Sequence, residues 1–87
     1  MARKLNIVGA QVRKLRYQHG WTQEQLVARC GTAGLDVSRG TLAKIEASVR
    51  SVTDKELLVM ANVLLVTPND LYPSQAIKKS VSARSSR

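Results

Sequence analysis

The stretch Thr22-Gln-Glu-Gln-Leu26-Val-Ala-Arg-Cys30-Gly31, followed after a turn by Val37-Ser-Arg-Gly-Thr-Leu-Ala-Lys-Ile-Glu46, decides the fold. Both halves open in the same way. A residue whose side-chain oxygen can cap a helix, Thr22 or Ser38, follows an apolar residue, Trp21 or Val37. Another apolar residue, Leu26 or Leu42, stands four positions later, the spacing of a hydrophobic staple. Gln25, three residues past Thr22, completes a capping box. The same punctuation recurs at Val52-Thr53-…-Leu57, with Glu56 in the box position, and at Val66-Thr67-…-Leu71, with Pro68 where a first helical residue can lack its N–H. Four helix starts are therefore announced independently.

A further helix precedes them. Val8, Val12 and Leu15 stand at i, i+4 and i+7, one apolar stripe on a segment from about Asn6 to His19 that Gly20 closes, with Arg13 and Lys14 facing away. The second helix is expected to bury Leu26 and Cys30, the third Leu42 and Ile45. The fourth should bury Leu57, Ala61 and Leu64 together with Leu58 and Leu65. Helices this short are marginal alone in water, so they must pack on one another. The expectation is an all-α, five-helix domain over residues 1–72, its last helix only Thr67 to Tyr72. Residues 73–87, with five Ser and four cations, are expected to form a disordered basic tail.

Composition agrees. Eighty-seven residues suffice for one small core, and with no Phe and only Tyr17, Trp21 and Tyr72 as aromatics that core must be aliphatic. Strand alternation is absent. A single cysteine, Cys30, cannot form an intrachain disulfide and falls on an apolar stripe as a small core residue. The N-terminal segment, broken by Asn6, Gly9 and Gln11, does not read as a secretory signal. The apolar run Leu57 to Val66 contains Asn62 and falls short of the roughly 20 residues needed to span a bilayer. The cytoplasm is the expected compartment, with no membrane partner.

Charge is the first functional signal. Fourteen Lys and Arg against six Asp and Glu give +8, the balance of a polyanion binder, although a solubilising surface would read alike. Arg3, Lys4, Arg13, Lys14 and Arg16 precede the first acid, and Lys78, Lys79, Arg84 and Arg87 follow the last, so the ends carry the whole excess. Catalysis is not indicated. His19 is the only histidine, Asp36, Asp54 and Asp70 occupy helix-start or turn positions, and one His with one Cys cannot make a structural zinc site. No catalytic residue, metal, cofactor or small-molecule substrate is expected.

The two halves quoted above resemble the helix-turn-helix of the lambda-repressor/Cro-like (XRE) family. The approach Leu15-Arg16…Gly20-Trp21-Thr22-Gln23, the exit Ile45-Glu46-Ala47-Ser48-Val49-Arg50 and the closing Leu64-Leu65-Val66-Thr67-Pro68-Asn69-Asp70-Leu71 extend the likeness over about residues 6 to 72. The resemblance implies double-stranded DNA as partner and a transcriptional regulator of bacterial or phage type, most simply a repressor. It implies that the third helix, about residues 38–47, lies in the major groove, with Arg39, Thr41 and Lys44 reading base edges. It assigns backbone contacts to Gln23 at a helix N-terminus, Ser38, Gly40, Arg13 and Arg50. It also implies that Arg16 and Glu46 pair structurally. Solvated surface residues are the plain alternative for Arg39, Lys44 and Arg50.

One departure stands out. Thr22 to Ser38 spans sixteen positions where the family's motif takes about eleven, so about five residues around Thr32 to Asp36 are extra. Either the second helix runs on to Gly34 or the turn becomes a loop, with Leu35 packing back on the domain. A homodimer is expected, joined through Leu71, Tyr72 and Ile77 in preference to Val49 and Val52. The competing function is an antitoxin or adaptor that uses the same domain mainly to grip a protein partner.

Overall fold

The computed structural model describes residues 3–73, and the basic tail read from the sequence lies outside them. The chain forms α1 (Gly9–His19), α2 (Gln23–Thr32), α3 (Arg39–Glu46), α4 (Asp54–Val63) and a closing 3₁₀ turn (Pro68–Leu71). The caps act where the sequence places them. Thr22, Ser38 and Thr53 each accept the N–H three residues on, at 3.0 to 3.1 Å, and the Gln25 and Glu56 side chains return the bond to the capping N–H.

Four α-helices form where five were expected. The fifth start is real, but Pro68 to Leu71 holds only one 3₁₀ turn, fastened by Asp70 accepting both the N–H and the hydroxyl of Thr67 at 2.9 Å. Four residues are too few to close an α-helical ladder. The first helix also begins later than the stripe suggests. Asn6 lies outside it and caps it, its Oδ1 taking the N–H of Val8 and Gly9 while its Nδ2 donates to the carbonyls of Ile45 and Arg50.

All four helices stop by one device. A left-handed residue follows the helix, and the next residue sends its N–H back five positions: Trp21 to Arg16, Leu35 to Cys30, Val49 to Lys44 and Val66 to Ala61. The left-handed residues are Gly20, Gly34, Ser48 and Leu65. The residue that ends one helix also starts the next at two corners, since Trp21 and Val66 serve as the apolar members of both stop and staple. α2 therefore takes the run-on alternative: the extra residues become its last turn and its Gly34 stop, and Leu35 packs against the core.

Val8, Val12, Leu26, Cys30, Leu42, Ile45, Met60, Ala61, Leu64 and Leu71 form the core. Two expected members are missing. Leu58 is 51% and Leu65 80% exposed, because α4 buries the i, i+3, i+4, i+7 set that includes Met60, which turns Leu58 outward, while Leu65 already lies in the left-handed stop. Leu71 is fully buried, which removes it from any interface. Gly9 marks the tightest crossing: α1 packs on α3, and a Cβ there would collide with the carbonyl oxygen of Ile45.

Candidate nucleic-acid interface

The site is assembled around one buried ion pair. Arg16, on the inner side of α1, places Nε 2.7 Å from Oε2 and Nη2 2.9 Å from Oε1 of Glu46 at the end of α3, and its Nη1 donates to the carbonyl of Trp21. Both side chains are almost wholly buried. The Glu46 hydrogen bond, outweighing burial, holds the Arg16 guanidinium above its ordinary pKa. Gln23 Nε2 also donates to Glu46 Oε1, at 3.1 Å. One carboxylate thus fixes α1, the start of α2 and the end of α3 relative to each other.

Above this pair lies an open concavity lined by Arg13, Tyr17, Gln23, Arg39, Ala43 and Glu46. Gln23 and Arg39 meet there despite the longer connection between α2 and α3. The Gln23 amide keeps one N–H free after bonding Glu46, and Thr22 takes the N–H of Gln25, so the first N–H groups of α2 remain on offer to an anion. Thus the Gln23 side chain is held in place before any ligand arrives.

The remaining candidates are distributed unevenly. Arg39, Gly40 and Lys44 are exposed on the outer side of α3, with the small Ala43 and Ala47 between and beside them. Thr41 is half-buried; Ser38 Oγ caps the helix by accepting its N–H at 3.0 Å and donates to its Oγ1 at 3.0 Å, which leaves the Thr41 hydroxyl a proton to give and one acceptor site. Gly40 has no neighbour within ordinary contact of a built Cβ except Ser38 Oγ at 3.8 Å. Arg50 lies apart from the concavity. Its guanidinium clasps Glu56 at 2.9 and 3.0 Å and donates to the carbonyl of Ser51, which occupies three of its five N–H donors.

Tyr17 was not singled out from the sequence. Its exposed ring lies 4.6 Å from the Arg16 guanidinium carbon and 5.5 Å from that of Arg13, and Arg13 Nη2 donates to its hydroxyl. The hydrogen bonds from Arg13 and then Arg16 lower the phenol's pKa. The Arg13 to Tyr17 spacing of four within a helix was the available signal.

A helix-turn-helix family model matches residues 12–71, from the second turn of α1 through the closing 3₁₀ turn. The chain belongs to the lambda-repressor/Cro-like helix-turn-helix family. The match contains the whole α2 and α3 pair, and the family is one of DNA-binding regulators, not typically enzymes. Neither the curated proteins nor the solved structures give a match to this helix-turn-helix chain. Among the described residues no group of three or more His, Cys, Asp or Glu could hold a metal, and no helix is long and apolar enough to cross a membrane. Cys30 is buried in the core, and burial pushes its thiol pKa up.

Proposed function

We propose that this helix-turn-helix domain reads double-stranded DNA sequence as a transcriptional regulator, most simply a repressor that occludes its operator, with α3 in the major groove. The observation that carries the reading is the outer side of α3. Arg39 and Lys44 are exposed beside Gly40, Ala43 and Ala47 and enter no ion pair among the described residues, and Arg39 lines one concavity with Gln23.

Arg39 is matched to a guanine O6/N7 pair and Lys44 to a guanine acceptor, while Thr41 offers a methyl and a hydroxyl. Gln23, the α2 N-terminus, Arg13 and Tyr17 supply backbone contacts that set the register. Arg50 adds charge near that backbone but works chiefly for the fold, through Glu56. The domain acts as a homodimer, since one recognition helix specifies few base pairs.

Enrichment of random-sequence duplexes on the full chain, followed by sequencing, tests this reading. The expected product is an inverted repeat with half-sites about one helical turn apart. Arg39→Ala should then relax preference at one position by about 1–3 kcal/mol, whereas Gln23→Ala should weaken all sequences alike. A bound pool without a preferred sequence would overturn the reading and favour the antitoxin or adaptor function.

A further inference from the structure

The loop that leaves α3 lacks the free cation expected there. Arg50, given a phosphate contact by the resemblance, is half-buried in the link to α4, and Glu56 and the Ser51 carbonyl take three of its five N–H donors. Two other cations reach the same loop from the far end of the sequence. Leu5 N–H donates to the carbonyl of Ser48 at 2.8 Å, and Asn6 Nδ2 donates to the carbonyls of Ile45 and Arg50 at 3.0 and 2.8 Å. Immediately upstream, Arg3 and Lys4 are exposed and enter no ion pair among the described residues.

We infer that Arg3 and Lys4 form a further binding site for the DNA phosphate backbone, beside the exit of α3, and make there the contact for which Arg50 is already engaged. The inference rests on the reading of α3 as the helix that meets the duplex, and it adds two residues to that site. Position is the first support. Leu5 and Asn6 are fastened to the loop, and Asn6 Oδ1 also accepts the N–H of Val8 and Gly9, so the anchor is tied to the start of α1 as well. Arg3 lies two residues from that anchor, at most about 7 Å of extended chain, so both cations stay by the loop.

Charge is the second support. Glu46 and Glu56, the acids that flank the loop, are held by Arg16 and Arg50. Asp54 lines a groove with Leu5, but its Oδ1 accepts the N–H of Lys55, and it sets one negative charge against two positive ones. A surplus of positive charge therefore remains where the chain leaves α3. Arg50 would have to give up Glu56 to take a phosphate, whereas Arg3 and Lys4 exchange only water and anions for it. Such contacts release condensed counterions from the duplex and fix register without reading a base.

Titration of the full chain onto a mixed-sequence duplex over a series of salt concentrations tests the site separately from base reading. Arg3→Gln combined with Lys4→Gln should lower the slope of log affinity against log salt by about 1.8, roughly 0.9 for each phosphate lost. Thermal melts of that variant should stay within about 4 °C of wild type, as for exposed substitutions. Arg50→Gln, measured where its melt shows it folded, should change the slope by less than about 0.5. An unchanged slope in the double variant, or one lowered as far by Arg50→Gln alone, would overturn the inference and leave the reading by α3 intact. An unchanged slope with a lowered Tm would assign the two cations to Asp54 and overturn it equally. A lowered slope without any sequence preference would uphold the site and remove the sequence reading, and a chain that binds no duplex would overturn both.

Discussion

Gly40 stands at the second position of α3, where a Cβ would meet only Ser38 Oγ, in ordinary contact at 3.8 Å. A helical glycine costs up to about 1 kcal/mol against alanine, and nothing inside the domain requires it here. Gly9 makes the contrast, because the carbonyl of Ile45 fills the place of its Cβ. On the proposed reading Gly40 lets the helix backbone approach the duplex closely. Gly40→Ala should therefore raise Tm by a few degrees, on the order of 4–8 °C per kcal/mol for a domain this size, while lowering affinity for the enriched operator. A variant that is both more stable and unimpaired in binding would show that the close approach does not occur. The left-handed residues Ser48 and Leu65 also belong at this scale. Neither is a glycine, so no residue type advertises those two stops.

At the scale of elements, the link from α3 to α4 is held by Glu56, which caps Thr53 and clasps Arg50 with one carboxylate. The Arg50 hydrogen bond is the main cause that lowers the Glu56 pKa below its ordinary value of 4.5, and the Thr53 N–H adds to it, against the opposing effect of burial. A carboxyl whose pKa falls on folding contributes stability above its unfolded value, and that stability is lost as pH falls through the folded value. Wild type should thus lose stability below about pH 4.5, and Glu56→Gln should be less stable near neutrality but flatter across that acid range. Chemical denaturation at stepped pH checks it; equal acid slopes in both proteins would mean that Glu56 is not the group responsible. The helix starts were legible because caps and staples are local signals. The length of α2 was not, since a run-on to Gly34 and a loop were both open, and Leu35, by reaching the core, goes with the run-on.

For the whole molecule, charge is the property that reaches furthest. The +8 excess lies at the ends of the chain, and the four cations after Pro73 should add affinity without sequence preference through counterion release. A chain ending at Pro73 should show a shallower slope of log affinity against log salt, by up to about three to four if all four cations meet phosphates. An unchanged slope would mean that those residues touch no phosphate. Little of the candidate site was legible at this scale. The sequence named Arg39, Lys44, Gln23 and Arg50 through a resemblance, but carried no sign that Glu56 clasps Arg50, and overlooked Tyr17.

What the sequence determined by itself is what acts within one turn: three capped starts, the Gly20 stop, an aliphatic core and the family match from residue 12 to 71. Tertiary structure decided what depends on which distant groups meet. Leu58 and Leu65 are as apolar as Leu57 and Leu64, yet only packing against α2 and the closing turn settles which of them α4 buries. The meeting of Arg16, Gln23 and Glu46 likewise spans thirty positions of chain. Caps are satisfied by neighbours and so are written in spacing. Burial and ion pairing are satisfied by whichever element arrives, and only the fold brings that element.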